Sequence, residues 1–324
     1  MFENVKLTRP GLTVDAVNDG RHTLDPAIAN DRESVPLLVH LPDEGIAFFT
    51  YTWVNAAGAA GAMLCLFGEG VGPEQLTFVF PDRPVPVEMN FSNWKIEEFD
   101  MQHDLKFGSA RFRFANDRVQ LDFTFQGSHP PYAYGGNALG CPSYCATNRI
   151  EQSGRAAGTL VLDGRSFSFD TTGHRDHSWG TRDWMAMQNY RWFQGQAGPD
   201  VAVHFWHLNA LGRTRLLGYV FKDGLMAEVT SLDFDIAYND RFEQERLTAT
   251  ITDDAGRSTD LVADFYAHGV LVPAPELTLN EAAARIAIDG KPGVGWLEHA
   301  WPTDYLVHIR ANPAYAPEAT AAKG

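Results

Sequence analysis

The stretch Gly158-Thr159-Leu160-Val161-Leu162-Asp163-Gly164-Arg165-Ser166-Phe167-Ser168-Phe169-Asp170 sets two short strand-like runs on either side of an Asp-Gly pair. An Asp-Gly pair accepts positive φ at both turn positions, and the resulting turn twists in the same sense as the strands it joins. The sequence therefore predicts a tight β-hairpin here. The pattern recurs outward in both directions. Ala110 to Phe114 and Val119 to Phe125 flank Asn116-Asp117, and Leu216 to Phe221 and Leu225 to Phe234 flank Asp223-Gly224. Leu247 to Thr252 and Asp260 to Phe265 flank a loop with Asp254-Ala255-Gly256. Paired strands at this steady spacing predict an all-β chain of antiparallel barrels or sandwiches, not βαβ units. One short helix is expected over Leu279 to Ile288. The length of 324 residues suits two domains. Their boundary is expected between residues 140 and 156, giving domains 1–150 and 151–312. The tail 313–324, rich in Ala and Pro, is expected to be poorly ordered.

Composition narrows the function classes. Forty-one acidic against 26 basic residues give a net charge of −15. That field repels phosphate backbones and anionic membranes, so no nucleic-acid partner is expected. No apolar run approaches the roughly 18 residues of a spanning helix, and Met1 to Pro10 lacks the marks of a signal peptide. A cytoplasmic location without membrane insertion follows as the expectation. Three cysteines, Cys65, Cys141 and Cys145, do not make a disulfide framework and read as structural thiols. No phosphate-binding loop, dinucleotide-binding glycine pattern or Gly-x-Ser-x-Gly elbow occurs, so no cofactor is expected.

The densest polar cluster is Gly173-His174-Arg175-Asp176-His177-Ser178-Trp179-Gly180, followed by Arg182-Asp183-Trp184. If Thr172 to His177 continues a strand, His174 and Asp176 share one face. A carboxyl and an imidazole at an apolar wall suit proton transfer, because desolvation raises the carboxyl pKa toward neutrality. The competing reading is an Arg175–Asp176 ion pair that pins a turn. His174-x-Asp176 also matches half of a two-histidine, one-carboxylate iron site, with His204, His207 or His268 as the third ligand. The incomplete ligand set argues for no metal. Further along, Val201 to Leu208 alternates so that His204 and Trp206 share a face. Glu298, in Gly293-Val294-Gly295-Trp296-Leu297-Glu298-His299, is either a second carboxylate of the site or the partner of Arg175 or Arg182. The long loop from Gly127 to Pro142 brings His129, Tyr132 and Tyr134 near Tyr144, as a pocket wall or as a self-packed loop.

Glu151-Gln152-Ser153-Gly154 with Gly158, then Asp176-His177-Ser178-Trp179-Gly180, Arg182-Asp183 and Gly293-x-Gly295-x-x-Glu298-His299, resemble the two-domain lipocalin-like proteins related to bacterial hydroxyneurosporene synthase (carotenoid 1,2-hydratase). The resemblance runs from about residue 150 to 310 and is carried mainly by the Asp-His-Ser-Trp-Gly run. It implies two lipocalin-like β domains, a ligand near their junction and no required cofactor. On the strand after the motif, His204 and Trp206 stand where the hydratase carries a tyrosine and an acidic residue.

The residues and the resemblance together lead to an expected cofactor-independent lyase, isomerase or hydratase acting on a hydrophobic small molecule: a terpenoid, steroid or polycyclic aromatic compound. Asp176 would be the acid or base, with His177, His174 and His204 beside it. Trp179, Trp206, Tyr132, Tyr134, Tyr144, Trp184 and Glu298 would hold the substrate. The alternatives are a non-catalytic carrier of a hydrophobic ligand and a non-heme iron oxygenase built on His174-x-Asp176.

Overall fold

The four expected hairpins all form, and they belong to a chain that is 62% strand and 7% helix. The computed structural model describes residues 2–28 and 30–315. Its strands are β1 (Lys6–Leu7), β2 (Asp31–Leu41), β3 (Ile46–Asn55), β4 (Ala59–Phe67), β5 (Leu76–Pro84), β6 (Trp94–Ile96), β7 (Phe99–His103), β8 (Ser109–Ala115), β9 (Val119–Gly127) and β10 (Tyr132–Ala133). They continue as β11 (Asn148–Leu162), β12 (Arg165–Thr181), β13 (Met187–Gln196), β14 (Ala202–Ala210), β15 (Arg213–Lys222) and β16 (Leu225–Tyr238). The last are β17 (Gln244–Asp253), β18 (Ser258–Ala274), β19 (Leu277–Ile288) and β20 (Lys291–Pro302), followed by α1 (Thr303–Arg310).

The chain divides into two compact units, Met1–Asp183 and Trp184–Gly324. In the first, ten strands run β5-β4-β3-β2-β12-β11-β9-β8-β7-β6 and form a nearly closed barrel. In the second, eight strands run β16-β15-β14-β13-β20-β19-β18-β17, and β17 pairs back with β16 to close the barrel. The division thus falls after the Asp-His-Ser-Trp-Gly motif, not near residue 150. The reason is the pairing of β12 with β2 and of β11 with β9, which makes this hairpin part of the first sheet. The tail expected at 313–324 lies outside the described residues except for a short 3-10 turn at Pro313–Tyr315.

The expected helix at Leu279 to Ile288 is strand β19. Its alanines favour helix locally, but β18 and β20 take its backbone hydrogen bonds on both sides. Tertiary pairing overrides a weak local preference. Each barrel has its own apolar core. Val35, Leu37, Val39, Phe48, Phe123 and Leu160 are among the core side chains of the first. Phe193, Val203, Phe205, Val220, Ile286 and Leu297 are among those of the second. Among the described residues no helix is long and apolar enough to cross a membrane. All three cysteines are free thiols.

Candidate active site

Strand β12 carries the motif, and its register sorts the motif onto two faces. Arg175 lies opposite Leu37 and Trp179 opposite Glu33, so Arg175, His177 and Trp179 share the face of the core residues Leu37 and Val35. His174 and Asp176 take the other face, as alternation requires. There they lie opposite Ser153 and Glu151 of β11. The motif therefore builds two clusters.

On the outer face, Arg149 joins two carboxyl groups. Its Nε donates to Glu151 Oε1 at 2.8 Å and its Nη2 to Asp176 Oδ2 at 2.6 Å. Glu151 also accepts from the Tyr134 hydroxyl at 2.9 Å and meets His174 Nε2 at 2.8 Å. His174 Nδ1 lies 3.1 Å from the Ser153 hydroxyl. Burial, reinforced by the Arg149 charge, drives the His174 pKa well down, so the ring is neutral. Donation from Nε2–H to Glu151 then leaves Nδ1 to accept from Ser153.

Asp176 is the exceptional group of this cluster. Its second oxygen, Oδ1, is buried and has no hydrogen-bond partner among the described residues. Burial pushes its pKa up to about 8; Arg149 opposes the rise and Glu151 adds to it. Glu151 takes hydrogen bonds from Tyr134, Arg149 and His174 whereas Asp176 takes one from Arg149, so Asp176 is the carboxyl that keeps its proton. Asp176 is thus a carboxylic acid at neutral pH. The competing Arg175–Asp176 ion pair does not form; the partner is Arg149, 27 residues earlier.

On the inner face, Arg175 donates to Asp19 Oδ1 at 3.0 Å and to Gln152 Oε1 at 2.6 Å. His177 Nε2 meets Glu33 Oε1 at 2.7 Å, and His22 Nδ1 reaches the same oxygen at 2.7 Å. His177 therefore pairs with Glu33 and does not orient Asp176. Trp179 stacks on His22, with ring centroids 3.9 Å apart. His22, Glu33 and His177 each aim one ligand atom at a common point, as a metal ion would require. The shared acceptor Glu33 Oε1 already accounts for that convergence through hydrogen bonds.

The long loop is a packed wall. Tyr132 and Tyr134 are fully buried, and β10 pairs with β11. His129 is buried too, accepting from Ser153 N–H and donating to the Pro130 carbonyl. Tyr144 is half-buried, and its carbonyl accepts from Asp183 N–H.

In the second unit, His204 Nδ1 donates to the Phe193 carbonyl at 2.8 Å, and Trp206 packs edge-on against Tyr190. Trp206, Trp192, Glu298 and Glu281 form one cross-strand row on a single face of the sheet. Glu298 pairs with neither Arg175 nor Arg182; it accepts from the Tyr190 hydroxyl at 2.5 Å. Arg182 instead donates to the Cys145 carbonyl and the Ser178 hydroxyl. Burial and then the adjacent Glu298 raise the Glu281 pKa well above the usual range, while Trp296 Nε1 donates to Glu281 Oε2 at 2.6 Å. The two glutamates share a hydrogen bond, and Glu281 is the one held as an acid. Glu281 and Tyr190 were not singled out from sequence, Glu281 because it sat in the supposed helix. His268 Nε2 donates to the Gln244 carbonyl, and His207 packs edge-on against Phe234. Trp184 is half-buried and lines a cavity of about 410 Å³ with Met185, Met187, Leu211 and Leu277.

Comparison with solved structures shows the fold. An AttH-like protein from Nitrosomonas europaea is similar at a TM-score of 0.64 and 13% identity, covering 91% of this chain and 98% of that one. Kievitone hydratase from Nectria haematococca is similar at 0.60 and 12%, covering 92% and 96%. CghA is similar at 0.58 and 12%, covering 84% and 88%. The two-barrel, lipocalin-like architecture expected from sequence is the one these structures share. No curated protein is matched by sequence. Over residues 15–303 the chain matches the family described as a domain of unknown function, DUF7064, and it belongs to that family.

Proposed function

We propose that the chain is a cofactor-independent acid–base enzyme of the hydratase, lyase or isomerase type, acting on a hydrophobic small molecule with Asp176 as the proton donor. One observation carries this reading: a buried carboxyl, neutral at pH 7, with one oxygen held by Arg149 and the other without a partner. A general acid needs a pKa near the working pH and a free edge to present. Arg149 does not prevent the transfer. Once the proton leaves, the 2.6 Å contact becomes a full ion pair that stabilises the conjugate base.

In a hydration, the Asp176 proton adds to one alkene carbon and water oxygen bonds to the other. The water's surplus proton returns to the Asp176 carboxylate, which restores the acid. Glu151, fixed by Tyr134, Arg149 and His174, positions Arg149 and keeps the local charge balanced. The structural likeness to kievitone hydratase and the motif resemblance to carotenoid 1,2-hydratase support hydration as the first reaction to test. The fold alone does not choose it.

The test incubates the purified chain with terpenoid, steroid and polycyclic aromatic alkenes in 18O-labelled water and follows label uptake by mass spectrometry. A hydratase incorporates one labelled oxygen per product. Asp176→Asn should keep the fold and lose roughly two to four orders of magnitude of turnover. A compound that binds saturably and is never converted would assign a carrier instead, and an Asn variant with wild-type turnover would remove Asp176 from the mechanism.

A further inference from the structure

One end of the second barrel holds a set of polar side chains that the reading above does not use. His207, Arg191, His299 and Asn280 are consecutive cross-strand neighbours on β14, β13, β20 and β19. They stand two residues along from Phe205, Phe193, Leu297 and Ala282, and so face the same interior as that core. Trp301 continues the same face of β20 beyond His299, with ring centroids 4.0 Å apart. Tyr238 of β16 closes the group, its hydroxyl 2.8 Å from His299 Nδ1.

Arg191 is held in place but not neutralised. Its Nη1 donates to Asn189 Oδ1 at 3.0 Å, and Asn209 fixes that amide from the other side at 2.8 Å. A further N–H bonds Tyr238. No carboxylate pairs with Arg191 among the described residues, and its Nε is buried without a partner. The acid that acts on Tyr238, Asp235, sits at the alternate parity of β16. Burial, and then the Arg191 charge, keep both His207 and His299 neutral. The cluster therefore carries one fixed positive charge.

The hydrogen bonds also set the His299 tautomer. Tyr238 accepts from Arg191, so its own proton goes to His299 Nδ1, and His299 Nε2 is an N–H donor. That Nε2 is buried and unpartnered, as is Trp301 Nε1. Three N–H donors without acceptors among the described residues thus sit on neighbouring side chains of one face, Arg191 across from His299 and His299 against Trp301. The amide oxygens of Asn280 and Gln244 are buried and unpartnered beside them. Buried donors left unmade are costly, and native proteins rarely keep several together without an occupant. Trp301 is flanked by Tyr305, stacked at 6.0 Å, and by Phe242 at 6.4 Å, which supplies an aromatic wall.

We infer that this end of the second barrel is a binding site for the carboxylate of a small aromatic acid, with Arg191, His299 and Trp301 donating to it. A single fixed charge matches a monoanion, and the flanking rings match an aromatic body. A phosphate dianion would leave one negative charge unbalanced in a chain of net charge −15.

The test titrates the full chain with benzoate by calorimetry, with acetate and inorganic phosphate as parallel arms. Saturable benzoate binding, tighter than acetate and far tighter than phosphate, is expected. Arg191→Gln should weaken it at least about tenfold, the scale of a lost charge-assisted hydrogen bond. Trp301→Phe, which keeps the ring and removes the N–H, should weaken it several-fold. Arg246→Gln, at an exposed ion pair with Asp264, should leave it unchanged. Asp176→Asn should also bind benzoate normally, which separates this site from the proposed reaction. No saturable binding to the wild-type chain overturns the inference. So does wild-type affinity in every folded Arg191 and Trp301 variant, or phosphate binding as tight as benzoate.

Discussion

At the scale of single residues, Asp176 and Glu33 are buried carboxyl groups with opposite behaviour. Asp176 shares its ion-pair partner Arg149 with Glu151 and is pushed up to about 8 by burial, against the pull of Arg149 and Arg182. Burial also pushes Glu33 up, but N–H bonds from His177 and His22 pull its pKa below the usual value. The linkage signs differ accordingly. Because the folded pKa of Asp176 is raised, its contribution to stability is present at low pH and is lost as pH rises through about 8. The same titration removes the catalytic proton. Turnover should therefore fall as pH rises through about 8, and urea-unfolding stability should drop between pH of about 5 and about 9 more in the wild type than in Asp176→Asn. An alkaline limb that survives in the Asn variant would assign it to another group. For Glu33, stability is present above its unfolded pKa and lost on acidification. Glu33→Gln leaves two imidazoles facing a weaker acceptor in a fully buried site and should cost about 3 kcal/mol at neutral pH. A cost below about 1 kcal/mol in chemical denaturation would show that the triad is not held together by charge.

Elements are decided by turns and by pairing, and the two can disagree. Asp163-Gly164 and Asp223-Gly224 adopt positive φ at both positions and close their hairpins as expected. Asp289-Gly290 does the same between β19 and β20. That Asp-Gly signal for a hairpin competes in the sequence with the helix preference of the alanines before it. Gly180, the last residue of the motif, has φ +115, and a Cβ there would lie 2.3 Å from Thr147 N. Gly164, at φ +80, has nothing within 4 Å of that position. Gly164→Ala should then cost only backbone strain, about 1 kcal/mol. Gly180→Ala adds a backbone collision and should cost clearly more, about 3 kcal/mol. Thermal melts of the two variants side by side check this; equal shifts would mean that the β11 loop yields at Thr147.

For the whole molecule, two separate cores mean that damage should stay local. Phe193 is fully buried and stacked on Phe205, with centroids 5.1 Å apart. Phe193→Ala removes that packing at a cost of about 3–5 kcal/mol. Hydrogen exchange should show lost protection across β13 to β20 while β2 to β12 keep theirs. An equal loss in both units would show that they unfold as one cooperative body.

What the chain determined by itself is what neighbouring residues decide together. The Asp-Gly turns, the two-residue alternation and the face shared by His174 and Asp176 depend on contacts a few residues apart, so they were legible along the sequence. The charge balance and the motif were legible for the same reason. What only the tertiary structure decided is which distant groups meet. Arg149 reaches Asp176 because β11 and β12 are in register, and Glu33 meets His177 across 144 residues because β2 joins β12. The pairing of β2 with β12 moved the unit boundary past the motif, and the pairing of β19 with β18 and β20 turned the expected helix into a strand. A carboxyl's proton depends on how many cations share its buried surroundings, and that number is set by strand order and register, which no local stretch of sequence encodes.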